Sequence, residues 1–267
     1  WDRGSCARRA IGDSEGAARA CQTEINHGEL ELGDIIGKGT GGCVYRAKLR
    51  GRECAAKVLR SDNSATRRPY HEMLSEIIVS SSVGLHTNLV RFFGACTLDV
   101  ANPILVMELV EGQTLETFLA GKPAGHFVGK ETAFCWSLDI LRALEFLHNR
   151  DPMIIHCDVK PANMLLSADQ SSLKLTDFSA SKIAPRTGMS LVRSGSSGTP
   201  RYMAPEMCSN APQRLVYTDK SDIYSAGLVM WYIITGRRPE VRVAGQLPPM
   251  FWARWRSRVV ADLVTRM

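Results

Sequence analysis

Between residues 30 and 109 the chain breaks into short β-like runs, and beyond Gly112 its apolar residues recur at helical spacing. This change of texture limits the fold more than any other feature. Strands gathered first and helices after them predict an α+β architecture with two subdomains, and argue against an alternating βαβ sheet. The runs at 31–36, 44–49, 53–59, 89–95 and 104–109 are separated by glycine or polar turns, as strands are. A helical stretch at about 69–83 interrupts them, with Met73, Ile77 and Ser80 on one face. Phe134, Leu138 and Leu141, beside Trp136, Ile140, Leu144 and Leu147, mark a second helix with two adjoining apolar faces. Residues 173–176 read as a short strand. Residues 222–234 are apolar almost all round, which predicts a buried helix. Residues 1–28, rich in Ala, Arg, Gly and Ser, show no strand alternation and read as a linker or loosely packed N-terminal arm.

Composition narrows the class. Of 267 residues, 45% are hydrophobic and 22% charged, enough apolar side chain for a sizeable core and too much for a chain disordered throughout. No apolar run approaches the ~18–20 residues of a membrane span. The first residue is Trp1, no signal segment follows it, and the chain is expected to be a piece of something longer. Net charge is 33 − 27 = +6. A basic excess admits an anionic partner. Here, however, aromatic and basic residues do not interleave as in a base-stacking platform, so no specific nucleic acid is expected. Cys6, Cys21, Cys43, Cys54, Cys96, Cys135, Cys157 and Cys208 form no C-x-x-C pair, which speaks against zinc. Scattered through apolar runs, they suit reduced thiols of an intracellular, cytoplasmic compartment.

The segment 36–44, Ile-Gly-Lys-Gly-Thr-Gly-Gly-Cys-Val, contains G-x-G-x-x-G-x-V. Glycines let a backbone come close to phosphate and turn its N–H groups toward the oxygens. A dinucleotide fingerprint needs a helix next, but a strand-like run follows, and no Gly-Lys-Ser/Thr closes a Walker-type loop. A plain hairpin turn stays open. Ala55-Ala56-Lys57 comes next, in an apolar run. A lysine there is either on the wet face of an edge strand or held for phosphates by a carboxylate, because an unpaired buried ammonium is costly. Glu76 and, one helical turn earlier, Glu72 are the candidate partners.

His156-Cys157-Asp158-Val159-Lys160-Pro161-Ala162-Asn163 follows the apolar pair Ile154-Ile155, and Asp177-Phe178-Ser179 ends the 173–176 run. Each acid alone is compatible with a turn. Together, an Asp and an Asn five residues apart plus a later Asp suit a magnesium site with a positioned carboxylate, since Mg2+ takes few protein oxygens and leaves the rest to phosphate and water.

The Gly-rich loop, Ala-x-Lys, helix Glu, His-x-Asp-x-Lys-x-x-Asn, Asp-Phe-x and Ala204-Pro205-Glu206 stand in the order of the protein kinase motifs, and from about Leu30 to Met267 the chain resembles that family. The resemblance implies a bilobal fold: a small β-rich lobe at about 29–108, a hinge at 108–110, and a larger helical lobe at about 111–267, incomplete at its end. It implies ATP and Mg2+ as cofactors and a protein substrate bearing Ser or Thr. By the same resemblance, Gly37, Lys38, Gly39 and Gly42 cover the phosphates, and Lys57 pairs with them and with Glu76. Glu76 is chosen for its interval before His86-Thr87-Asn88. Asp158 is the catalytic base with Lys160 beside it, and Asn163 and Asp177 hold Mg2+. Val44, Ala55 and Leu165 sandwich the adenine, Met107 is the gatekeeper, and Glu108 and Leu109 belong to the hinge. Asp222 resembles the buried helix aspartate that braces the catalytic loop.

Lys160 and the 198–206 segment, with Thr199 reaching the catalytic loop, resemble serine/threonine kinases. Phe93-Gly94-Ala95-Cys96 and Tyr202-Met203-Ala204-Pro205-Glu206 have a tyrosine-kinase flavour, and the mixture resembles the tyrosine-kinase-like group. Three departures stand out. Cys157 replaces the arginine that pairs with a phosphorylated activation loop. Ser179 replaces a glycine whose absence restricts φ. The late helices, with the arginine partner of Glu206, are absent, and the intact protein is expected to continue. Thr187, Ser190, Ser194, Ser196, Ser197 and Thr199 are candidate phosphorylation sites. These departures leave a second reading, a pseudokinase that binds ATP or partners without efficient transfer.

Overall fold

The computed structural model describes residues 24–39, 42–59, 70–99, 102–123, 125–184, 191–193, 199–207 and 215–240. Its first half is a five-stranded antiparallel sheet of β1 (Leu30–Gly39), β2 (Gly42–Leu49), β3 (Arg52–Val58), β4 (Phe92–Cys96) and β5 (Ile104–Met107), in the order β1-β2-β3-β5-β4. Helix α1 (Tyr70–Val83) packs on one face, where Met73 and Ile77 meet Leu59, Ala95 and Leu105. Ser80 is buried with them, as the helical spacing predicts. On the other face Ala47, Cys54, Ala56, Val58 and Val106 close over Ile25 and Leu30. Because successive strand residues point to opposite faces, β3 is buried from Cys54 to Val58 only because both faces are covered.

Two expectations need correction here. The 89–95 run enters the sheet only at Phe92, while Leu89 bridges to Leu175 in the other half. Residues 24–28 are not a loose arm. The Ile25 amide donates to the Ala95 carbonyl at 2.8 Å, and Glu24 accepts from the Thr97 amide at 2.8 Å and its hydroxyl at 2.6 Å. The segment thus straps the β4 edge of the sheet, with Ile25 supplying the buried side chain. A single apolar residue gives no periodicity, which is why the sequence does not reveal it. Residues 1–23 lie outside the described residues, as do residues 241–267.

The second half holds α2 (Leu115–Ala120), α3 (Lys130–His148) and α4 (Asp219–Thr235) with three small ladders. These pair β6 (Met153–Ile155) with β9 (Lys182–Ala184), β7 (Met164–Leu166) with β8 (Leu173–Leu175), and β10 (Leu191–Arg193) with β11 (Leu215–Tyr217). Trp136, Ile140, Leu144 and Leu147 of α3 are buried with Ala226, Val229 and Ile233 of α4 and with Leu166, Leu173 and Leu175. Of the two apolar stripes expected on α3, this one is covered. Phe134 is 47% exposed and Leu138 and Leu141 are half-buried, because the elements that pack on α3 meet its other side. Helix α4 is buried along most of its length, and ends at Gly236 in the left-handed conformation, where a Cβ is unfavourable. Asn88 stitches the halves together: its side-chain amide donates to Leu173 O at 3.1 Å and its carbonyl accepts from the Leu175 amide at 2.8 Å. No described helix is long and apolar enough to cross a membrane.

Candidate active site

Strand β3 is interior to the sheet, so Lys57 is not an edge-strand lysine on a wet face. Its side chain emerges on the α1 side and is 7% exposed. Nζ lies 2.6 Å from Glu76 Oε1 on α1 and 2.7 Å from Asp177 Oδ1 in the second half. Burial works against its charged form, but the two carboxylates more than offset that and raise its pKa. Burial likewise pushes the Asp177 carboxyl up. The Lys57 ammonium and hydrogen bonds from Lys57 and Ser179 outweigh it and hold Asp177 at about 2. Glu76, 2% exposed, is therefore the carboxylate brought to Lys57; the Glu72 side chain lies outside the described residues.

The loop between β6 and β7 carries Asp158. Its Oδ1 accepts from the Thr199 amide at 3.1 Å and the Thr199 hydroxyl at 3.0 Å. Its Oδ2 meets Lys160 Nζ at 2.6 Å and Asn163 Nδ2 at 3.1 Å. Lys160 also donates to the Thr199 hydroxyl at 3.0 Å. Under this loop Asp222 of α4, 1% exposed, accepts the His156 amide at 2.8 Å and the Cys157 amide at 2.9 Å, with His148 Nε2 2.9 Å away. A helix side chain thus satisfies two buried loop N–H groups that no ladder reaches. Sequence spacing gives no sign of the His148 contact, which spans 74 residues. The Thr176 amide donates to Asn163 O at 2.9 Å, so the strand end leading to Asp177 sits against the asparagine.

The other expected residues lie on β1, β2, β3, β5 and β7 and just after β5. Gly37, Lys38 and Gly39 end β1 and Gly42 opens β2, paired as Gly37↔Val44, Lys38↔Cys43 and Gly39↔Gly42. The tip at residues 40–41 lies outside the described residues. Gly42 has φ 134°, and a Cβ there would stand 2.1 Å from the Val58 carbonyl oxygen, so only glycine fits. Val44 lies opposite Lys57, and Ala55 pairs with Met107 at the end of β5. The Glu108 amide donates to Arg91 O at 2.8 Å, and its carboxylate meets Lys174 at 2.5 Å and the Arg91 amide at 3.1 Å. Leu109 follows, half-buried. Leu165 of β7 bridges to Thr114 on the opposite side.

Two of the departures acquire a structural context. Cys157 is buried with φ 64°, its thiol directed to Ile155 O. Ser179 is not at positive φ, so no glycine is required there in this conformation. Among the candidate phosphorylation sites only Thr199 falls within the described residues.

Among the described residues no group of three or more His, Cys, Asp or Glu side chains is placed to hold a metal ion. Asn163 and Asp177 offer a sparser donor set. Both Asn163 Nδ2 bonds go to Asp158, which leaves its Oδ1 as the acceptor, and Asp177 is ionised. Two hard oxygen donors are of the kind Mg2+ takes from protein, with phosphate and water completing its shell.

A sheet half and a helical half, joined through a buried lysine–carboxylate pair above an Asp–Lys–Asn loop, define a bilobal kinase. Residues 30–246 match the family described as Protein kinase domain, and the chain belongs to it. It is similar to human mitogen-activated protein kinase kinase kinase 7, 31% identical over 232 residues, 86% of this chain and 35% of that protein. It is also similar to serine/threonine-protein kinase CTR1 of Arabidopsis thaliana, 30% identical over 211 residues, 79% of this chain and 24% of that one. A third relative is dual specificity protein kinase shkC of Dictyostelium discoideum, 30% identical over 235 residues, 86% of this chain and 43% of that protein. The chain thus spans less than half the length of each of these relatives. Its kinship is with serine/threonine kinases of the tyrosine-kinase-like group.

Proposed function

We propose that the chain is an active serine/threonine protein kinase domain, with the hinge at 108–110, and that it transfers the γ-phosphoryl group of ATP to protein hydroxyls. One observation supports the reading: Glu76, Lys57 and Asp177 bond in one group, Asn163, Asp158, Lys160 and Thr199 in another, and the Thr176 amide bonded to Asn163 O ties the two, which in this reading form one wall of the nucleotide cleft. Phosphoryl transfer depends on positioning and charge neutralisation, which such a wall supplies.

In this reading Lys57, held by Glu76, binds the α- and β-phosphates. The backbone of Gly37, Lys38, Gly39 and Gly42 covers them, and Val44, Ala55 and Leu165 enclose the adenine beside Met107, Glu108 and Leu109. Asn163 Oδ1 and the Asp177 carboxylate hold Mg2+, which when bound neutralises charge on the phosphate oxygens. Asp158 orients the acceptor hydroxyl and takes its proton on a carboxylate oxygen. Lys160 places positive charge beside that carboxylate, and Thr199 fixes its orientation. Asp222 holds the loop backbone that carries Asp158. The kinship with CTR1 supports Ser and Thr as acceptors, and the reading places the work inside the cell.

The test is transfer of labelled phosphate from Mg-ATP to a mixed protein substrate by the full-length protein, with phosphoamino-acid analysis of the product. Phosphoserine or phosphothreonine, abolished by Asp158→Asn and by Lys57→Met, is expected. ATP binding with no transfer to any substrate or to the chain itself would instead mark a pseudokinase.

A further inference from the structure

Arg46 and Glu111 pair at exposed side-chain positions, apart from the proposed wall. Arg46 lies on β2, two residues from Val44 and on the same face of the strand, opposite Ala55 of β3. Its guanidinium holds Glu111 with both forks, Nη1 to Oε1 at 3.1 Å and Nη2 to Oε2 at 2.7 Å. Glu53 of β3 accepts a further bond from Nη1 at 3.2 Å, which aims the guanidinium from its own sheet.

Glu111 belongs mechanically to the other half. The next residue, Gly112, sits so close to β7 that a Cβ would stand 1.9 Å from Leu166 O. Gln113 O accepts the Leu166 amide at 2.9 Å, and Thr114 bridges to Leu165. The backbone around Glu111 is thus clamped to the strand that carries Leu165, the expected floor of the nucleotide site, while Arg46 rides on the strand that carries Val44, its expected roof. The pair thus ties the expected roof strand to a segment clamped on the expected floor strand, just past the proposed hinge at 108–110.

We propose that the Arg46–Glu111 pair is an interlobe latch that sets the opening of the cleft and slows nucleotide release. The proposal rests on the nucleotide-binding reading above and assigns two positioning residues outside the catalytic wall. Bidentate pairing gives the contact a preferred geometry that a single-point lysine contact lacks. Arg46 and Glu111 side chains are 42% and 55% exposed, so salt screens the latch and its influence is modest.

The test is stopped-flow dissociation of a fluorescent ATP analogue from the full-length protein, which needs no phosphoryl transfer. Glu111→Gln and Arg46→Gln are each expected to speed dissociation by about two- to fivefold, the range that exposed ion pairs support. The swapped pair Arg46→Glu with Glu111→Arg is expected to return the rate toward wild type, and wild-type dissociation is expected to quicken at high salt more than that of Glu111→Gln. In turnover assays the single variants raise KM for ATP with little change in kcat. Unchanged dissociation in both single variants, or a swapped pair as fast as the product of its single changes, overturns the latch. A wild type that binds no analogue overturns the nucleotide reading itself, a failure visible before any variant is made.

Discussion

The Lys57 ammonium and the Asp177 carboxylate, 120 residues apart in sequence, stand 2.7 Å apart, and through them the sheet half grips the helical half. Glu76 on α1 completes the contact from a position 2% exposed. Lys57→Met strands Glu76 without its cation, and removing one member of a buried pair costs roughly 3–5 kcal/mol. At about 2–4 °C per kcal/mol for a chain of this size, the thermal midpoint should fall by about 10 °C. Lys57→Met combined with Glu76→Leu replaces both charges by apolar groups and should recover part of that loss without recovering transfer. A double variant less stable than Lys57→Met alone would contradict the pairing as the source of the loss.

Asp177 gives this linkage a pH dependence of definite sign. Its carboxyl is held at about 2 against an ordinary 3.8, so the folded state binds its proton less readily than the unfolded chain. The resulting stability is fully present above 3.8 and is lost as pH falls through about 2. Urea unfolding midpoints should therefore drop more steeply across that window in the wild type than in Asp177→Asn, which has no proton to take up. Equal slopes would assign the acid sensitivity to other carboxylates.

The sequence makes the strands and the site loops legible because both announce themselves locally. Glycine and polar turns bound the short runs of β2 and β3, Met73 and Ile77 mark the buried face of α1, and the Asp158–Asn163 spacing survives into one hydrogen-bonded loop. What stays hidden depends on partners far along the chain. Ile25 belongs to the core because Ala95 offers a free carbonyl at the β4 edge, and nothing near Ile25 says so. Phe134 and Trp136 read alike by spacing, yet one is exposed and the other buried, since only packing chooses between adjacent faces of a helix. The bonds from Asp222 to the His156 and Cys157 amides, across 66 and 65 residues, follow from the resemblance and not from any periodicity.

Ser179 offers a direct test of whether the missing glycine matters. The residue avoids positive φ, and its side chain hydrogen-bonds Asp177, helping to hold that carboxyl low. Ser179→Ala deletes the bond and keeps the backbone, whereas Ser179→Gly also frees the backbone. Both should raise the Asp177 pKa slightly, readable by NMR titration of a labelled sample. Transfer in Ser179→Ala should fall by up to about tenfold, because a hydrogen bond to a charged group contributes roughly 1.5 kcal/mol at the low end of its range and about 1.4 kcal/mol is a factor of ten in rate. A rise of more than tenfold in Ser179→Gly alone would show that backbone freedom, and not the lost bond, limits the native chain.

Asp222 is buried so completely that its three contacts can be separated by substitution. Asp222→Asn keeps one acceptor oxygen but turns an amide N–H toward the His156 or Cys157 amide, donor against donor. Leaving a buried donor unsatisfied costs about 1–3 kcal/mol, and loss of the charged acceptor adds to it. His148→Asn removes only the third contact and keeps the amides satisfied, so its cost should be smaller. Asp158 directly follows Cys157, and displacement of that backbone moves the proposed base without touching Lys57. Asp222→Asn should therefore lower kcat at least tenfold while changing ATP affinity little. Urea denaturation and isothermal calorimetry on both variants check the two halves of the argument. If His148→Asn proves as costly as Asp222→Asn in stability and in kcat, the histidine contact, and not the pair of amide bonds, holds the loop.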